Sequence, residues 1–434
     1  MEISARRRLL LSSALAAALG ARASSATPGQ PPDGIVGRWA APPAQLPHPQ
    51  LPHVPLLGNG RVGLLYDAHS GAGPAAGPGR RNALDVWVGS NSMWSCGFCG
   101  GGLAPGCCRL VSVGGLSVNL QPSFPASGPQ LNFSAAQAIG PALLASTFST
   151  PAGGVLLTTT RMHPTLNLAT TTLSWTPAAG DSPSLALNVS VWTPHGMGVP
   201  FSAGCAAGSP AAPAACDETG ASAQTIFVSR QATSNRSNSP LPVAVGLAAA
   251  FAFTSGARAT AFAITADAPG ALWEATASLL LPAGDDVAVI TLSELEQRPA
   301  DGSDPGLAAA DAIAAGPGAA EIADAAAAFW LDYWARSGVS TPARPQLEQL
   351  WYGAMYALAG TSAEEASVPG PGLYGVWSTS DNSNWNGDVS SPSRAHSRLR
   401  LVAPNLAARS SSREFLPSVR ACAHGTPLLA PRLA

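Results

Sequence analysis

The chain is 434 residues long, 46% hydrophobic and 11% charged, with a formal net charge of −2. That length leaves room for about two or three domains, and the apolar share is enough to bury a core. The balance of 23 basic against 25 acidic residues excludes a general pull toward nucleic acid or an anionic membrane, and since all 23 basic residues are Arg, the excess reads as codon bias.

At the N-terminus, Arg6, Arg7 and Arg8 precede the apolar run from Leu9 to Gly20, and small residues follow in "ARASSA". Charge, apolar run and small residues in that order predict a signal peptide over 1–26, hence a secreted or cell-wall protein. The run is shorter than the ~20 residues needed to cross a bilayer, so no membrane insertion is expected. Residues 27–53 are Pro-rich and aperiodic and read as an arm.

From residue 54 to about 300 the pattern is strand-like. "ALDVWVG", "LLASTFST", "GVLLTTTRMH", "LNLATTTLSW", "LALNVSVW", "TIFVSR", "ATAFAIT" and "VAVITLS" recur between Gly, Pro and Asn turns. Their alternation and β-branched content predict one large antiparallel β-sandwich. Gly58, Gly60 and Gly63 mark a tight hairpin in which Asn59 can occupy a left-handed conformation; Asn59, Arg61 and Trp94 read as structural.

Cysteine usage follows from the expected export. Cys96, Cys99, Cys107 and Cys108 cluster in "CGFCGGGLAPGCC" with their pairing open, Cys205 and Cys216 bracket a Gly/Ala/Pro-rich excursion that a disulfide would staple, and Cys422 is left over. Cys96-x-x-Cys99 has zinc-like spacing, but no His follows at ligand distance, so neither a metal nor a cofactor is expected. Asn132, Asn188 and Asn235 stand in glycosylation sequons. His163 and His195 stand near strand ends without a Ser or Cys nucleophile in a recognised arrangement.

Helical signals begin at Asp304, an N-cap followed by Pro305, and two helices fill a linker over 301–340. Pro345 opens a third, in which Leu347, Leu350, Trp351, Ala354, Met355 and Leu358 form an apolar face ended by Gly360. That face needs a partner, so a helical domain is expected over 341–389. The loop "PGLYGVWSTSDNSNWNGD" follows, with Trp377, Asp381, Trp385, Asn386 and Asp388 as candidate glycan contacts. An indole stacks on the apolar face of a sugar while Asp and Asn take hydroxyls; the competing assignment has both tryptophans packing the hairpin.

Three stretches, "PLLGNGRVGLLYDA" with "LDVWVGSNSMWS", "FWLDYWARSGVSTP", and "LEQLWYGAMYALAG" through "GLYGVWSTSDNSNWNGD", resemble six-hairpin glycosidases. Their order and spacing are most similar to the alpha-L-fucosidases of glycoside hydrolase family ninety-five; families seventy-eight and sixty-five share related architecture. The resemblance covers roughly residues 54–388. It implies a β-sandwich (supersandwich), a helical linker and an (α/α)6 barrel of which this chain carries the first hairpin. It also implies an oligosaccharide or polysaccharide substrate and inverting hydrolysis by two carboxyl groups on opposite faces of the sugar.

The chain departs from that pattern after Asp388. The family's loop Trp is followed by Tyr at plus four and Asn at plus seven and plus nine, where this sequence has Val389, Pro392 and Arg394. Residues 390–434 read as a disordered basic tail, attributable to a frame change, retained intron or mistaken gene model, or else to a genuine short form. The expectation is a glycoside-hydrolase-like protein without catalytic residues in this chain; the alternative is a non-catalytic glycan-binding or matrix glycoprotein. A lone hairpin cannot cover its Leu stripe, so residues 340–434 are expected to be mobile and protease-sensitive while the sandwich resists.

Overall fold

Side chains of Val155–Met162 alternate between half-buried and buried along the strand, the signature of a sheet packed on one face. Such strands recur through the computed structural model, which describes residues 35–40, 53–67, 83–96, 108–120, 132–193, 198–207, 223–232, 244–253, 258–265, 273–284, 287–297, 304–336, 338–363 and 375–379.

Among the described residues, sixteen strands form two sheets, numbered here in chain order. The nine-stranded sheet runs β1 (Val36–Trp39), β6 (Asn132–Ala138), β7 (Leu143–Ser149), β8 (Val155–Met162), β9 (Leu168–Thr176), β16 (Val287–Gln297), β13 (Ala244–Phe253), β12 (Ala223–Ala232), β11 (Gly198–Ala207). The seven-stranded sheet runs β14 (Arg258–Thr265), β15 (Trp273–Pro282), β10 (Ser184–Thr193), β5 (Cys108–Leu120), β4 (Ala83–Cys96), β3 (Val62–Asp67), β2 (Leu56–Gly58). All these pairings are antiparallel.

The core lies between the sheets. Leu64, Tyr66, Val86, Val88, Val189 and Val191 from one sheet meet Leu144, Phe148, Leu156, Leu173, Leu247 and Ile290 from the other. Inside this apolar layer the Tyr66 hydroxyl lies 2.6 Å from both Ser146 Oγ and Thr158 Oγ1, a polar tie between β3 and the facing strands β7 and β8. Burial raises the Tyr66 phenol far above its ordinary pKa, so it stays neutral and can serve the tie as donor.

Three helices follow: α1 (Pro305–Ala315), α2 (Ala319–Arg336) and α3 (Pro345–Thr361). Asp304 caps α1 by accepting from Gly306 N at 2.8 Å, with Pro at the first turn as the sequence predicts. Ala309 and Ala310 of α1 pack on Phe227 and Ala248, on the sheet face away from the main core. Trp330 and Trp334 of α2 join Tyr352, Met355 and Tyr356 of α3 and the Ile139–Ala142 turn in a second cluster.

Several expectations change here. Val36–Trp39, placed in the Pro-rich arm, is an edge strand paired with β6, and the Trp39 indole N–H donates to His53 O at 3.0 Å. Helix α3 buries Tyr352, Met355, Tyr356, Gly360 and Thr361, whereas Leu347, Leu350 and Leu358 are 50%, 69% and 41% exposed. The helix thus docks by its tyrosine face, because each phenol has an apolar body and a tip that finds a carbonyl: Tyr356 Oη donates to Leu56 O at 2.9 Å, Tyr352 Oη to Val339 O at 3.1 Å. Cys205 lies in β11, but Cys216 lies outside the described residues, as do the expected signal segment and the basic tail.

Candidate functional site

The site begins with a row of glycines. Gly58, Gly63 and Gly89 are register neighbours across β2, β3 and β4, so three adjacent strands present no Cβ on one face. A Cβ at Gly58 would collide with the Gly360 carbonyl, and one at Gly89 with that of Val376. The row therefore lets the end of α3 and residues 375–379 lie directly on the sheet. Gly60, with φ of 84°, turns the hairpin so that its N–H donates to Gly360 O at 2.9 Å.

In the hairpin turn the left-handed conformation falls to Gly60, not Asn59. The Asn59 side-chain oxygen accepts from Arg61 N at 3.1 Å and Val62 N at 2.9 Å, closing an Asx turn. Its Nδ2 donates to His163 O at 3.2 Å and Leu166 O at 2.8 Å, which ties the β2–β3 turn to the β8–β9 loop. Buried Asn91 on β4 donates to Gly60 O at 2.6 Å and contacts Thr361 O at 3.4 Å. Backbone carbonyls of three separated segments are thereby held by two amides.

Between these segments lies a cavity of about 150 Å³. Its polar lining includes Asn59, Arg61, Thr165 and Ser362, and its aromatic wall Phe329, Trp330 and Tyr356. In that wall the Trp330 ring stacks on Tyr356 with centroids 4.9 Å apart. Between the lining residues Met162 and Pro164, His163 Nδ1 accepts from Leu166 N at 2.9 Å and Thr165 N at 3.2 Å, which leaves the ring proton on Nε2. Burial lowers the His163 pKa, in keeping with that neutral ring. Burial also pushes the Tyr333 phenol, whose hydroxyl donates to Met355 O, up to about 12.

Trp377 is buried, 6% exposed, and its indole N–H donates to Leu57 O at 2.9 Å. It packs with Val54, Leu65, Trp87, Trp192 and Val376, with Trp87 and Trp192 edge to face at 4.7 Å. Trp377 thus packs inside this cluster. Asp381, Trp385, Asn386 and Asp388 lie outside the described residues. So do Asn235 and His195, while Asn132 opens β6. Asn188 sits half-buried in central strand β10 and accepts from Ser278 Oγ at 2.9 Å, so its sequon amide is engaged in the sheet. Among the described residues no group of three His, Cys, Asp or Glu could hold a metal ion, and no helix is long and apolar enough to cross a membrane.

The sequence singled out the glycine turn and the two aromatic helices but not the Asn59 bridge or Asn91. An Asn before a Gly reads first as turn chemistry, and nothing local reveals acceptors more than a hundred residues away.

No protein-family model matches the chain, and no curated protein does. Among solved structures it is similar to a putative kojibiose phosphorylase from human microbiome, at 8% identity and TM-score 0.45, over 70% of this chain and 39% of that one. It is also similar to a GH92 inverting mannosidase from Bacteroides thetaiotaomicron, at 12% identity and TM-score 0.33, over 70% and 36%. A bacterial glucoamylase complexed with acarbose matches at 8% identity and TM-score 0.35, over 75% and 44%. The chain spans less than half the length of each of these proteins, and likeness at this level assigns it to none of their families.

Proposed function

We propose that the cavity takes a saccharide and that this chain belongs to a glycan-acting or glycan-binding protein. The observation that supports the reading is convergence. The "LLGNGRVG" turn, the β4 stretch "VGSN", the aromatic run of α2, the end of α3 and "GVWS" all meet at the glycine row or around the cavity. Contacts there span 300 and 320 positions of sequence. These are the stretches whose residues resemble six-hairpin glycosidases. The lining also suits a sugar: aromatic rings face its apolar side, while Asn, Arg, Thr and Ser serve hydroxyls.

Fucosidase-like inverting hydrolysis is the finer form of this proposal. It calls for two carboxyl groups about 6.5–9.5 Å apart. The second reading is glycan binding without turnover by this chain, since Val389, Pro392 and Arg394 stand where the resembled family has its Tyr and Asn pair. Asp381, Trp385, Asn386 and Asp388 are proposed to contact the same ligand, and export is proposed on the order of charge, apolar run and small residues at the N-terminus.

Calorimetric titration of the purified chain with L-fucose, L-rhamnose, D-galactose and their oligosaccharides tests the reading. We expect one of them to bind, and Arg61→Ala to weaken it at least tenfold while the melting temperature stays within a few degrees. Absence of binding by all these glycans would overturn it.

A further inference from the structure

Strands β4 and β5 place Cys96 directly opposite Cys108, next to the pairs Ser95 with Arg109 and Trp94 with Leu110. Positions two apart in a strand share a face, so both cysteines belong to the face that carries Leu110, itself 3% exposed. Residues directly opposite in an antiparallel pair have Cα atoms about 4.5–5.5 Å apart, within the roughly 4.4–6.8 Å that a disulfide spans. This holds whether or not the pair exchanges backbone hydrogen bonds. The residue that the register sets opposite Cys96 is Cys108.

We propose that Cys96 and Cys108 form a cross-strand disulfide that fastens the ends of β4 and β5. Its place in the fold is specific: β4 also carries Gly89 and Asn91, on which the end of α3 and residues 375–379 dock. The bond forms by thiol–disulfide exchange with a disulfide-bearing oxidant, either glutathione disulfide or the active-site disulfide of an oxidoreductase. The Cys108 thiolate attacks that disulfide, expels one thiolate and leaves a mixed disulfide. The Cys96 thiolate then displaces the second sulfur. Two protons and two electrons pass from the cysteine thiols to the oxidant, which leaves as two thiols.

The test is disulfide mapping of the full chain, secreted from an oxidising compartment or equilibrated with a glutathione redox pair, then alkylated without reduction, digested and analysed by mass spectrometry. A linked peptide joining Cys96 to Cys108, lost on reduction and retained in a Cys99→Ser/Cys107→Ser double variant, is the expected result. Cys96→Ser should in turn leave Cys108 open to alkylation. Alkylation of both Cys96 and Cys108 in the wild-type chain, or linkage of either to another cysteine, would overturn the proposal.

Discussion

The indole N–H of Trp377 donates to the carbonyl of Leu57 at 2.9 Å, joining residues 320 positions apart. It fixes the stretch 375–379 to the first hairpin of the sandwich. Trp377→Phe keeps most of the ring's packing but leaves a buried carbonyl without its donor, at a cost of about 1–3 kcal/mol. Trp377→Ala also empties the pocket among Leu65, Trp87 and Trp192 and should cost about 3–5 kcal/mol. Urea unfolding of the two variants beside the wild type measures both, and equal midpoints would show that residues 375–379 do not stabilise the fold.

Two glycines should respond in opposite directions. Gly60→Ala forces a side chain into a left-handed φ of 84°, costing about 1–2 kcal/mol, and drives its Cβ into the backbone of Ser362 and Ala363. Gly353 is an exposed position in α3 with nothing near a new Cβ, and Gly353→Ala should stabilise by about 0.5–1 kcal/mol. Thermal denaturation of the pair separates close approach from simple chain entropy.

Alkaline pH should weaken the fold through its tyrosines. Burial raises the phenols of Tyr66, Tyr333, Tyr352 and Tyr356, four of the five tyrosines. Below an ordinary phenol pKa of about 10, folded and unfolded chains hold the same protons and stability is unaffected. Above it the unfolded chain releases protons that the native chain keeps, so stability falls from about pH 10 upward through the folded value of about 12 at Tyr333. Tyrosinate absorbance and circular dichroism, followed together, should show most phenols ionising in one step with loss of β-sheet signal. Gradual titration near pH 10 with the fold intact would contradict this.

Limited proteolysis should yield a protected core that contains α3. The sequence alone predicts cleavage throughout 340–434, since a hairpin carrying an uncovered Leu stripe lacks stabilising contacts. The tyrosine face changes that expectation: Tyr352, Met355 and Tyr356 are buried against α2 and the sandwich. Mass spectrometry of the digest should find residues 345–361 retained with the strands, and early cleavage within α3 would show that the docking is weak.

The sandwich was legible because alternation is a local signal. The eight apolar runs read from the sequence correspond to β4, β7, β8, β9, β10, β12, β14 and β16. Strand β13, "AVGLAAAFAF", lacks that contrast, since Ala serves equally in a helix, and β1 is hidden among prolines. The docked face of α3 was misread for a related reason. Leucine outranks tyrosine in hydropathy, yet a tyrosine whose hydroxyl reaches a carbonyl can be buried fully, and that carbonyl, Leu56 O, lies 300 residues earlier. Of the candidate site, the glycine turn was visible as a pattern, while its purpose as a platform without Cβ atoms depends on segments that only the folded chain brings together.

The separation between Leu56 and Tyr356 also sets a clock on biosynthesis. At about 5–20 residues per second, the ribosome adds the intervening 300 residues in roughly 15–60 s. Until then the Leu56 carbonyl has the Gln137 side chain but not the Tyr356 hydroxyl, and the Leu57 carbonyl and the Gly60 N–H lack the partners that Trp377 and Gly360 will supply. The β2–β3 hairpin is thus among the last parts of the described fold to be sealed.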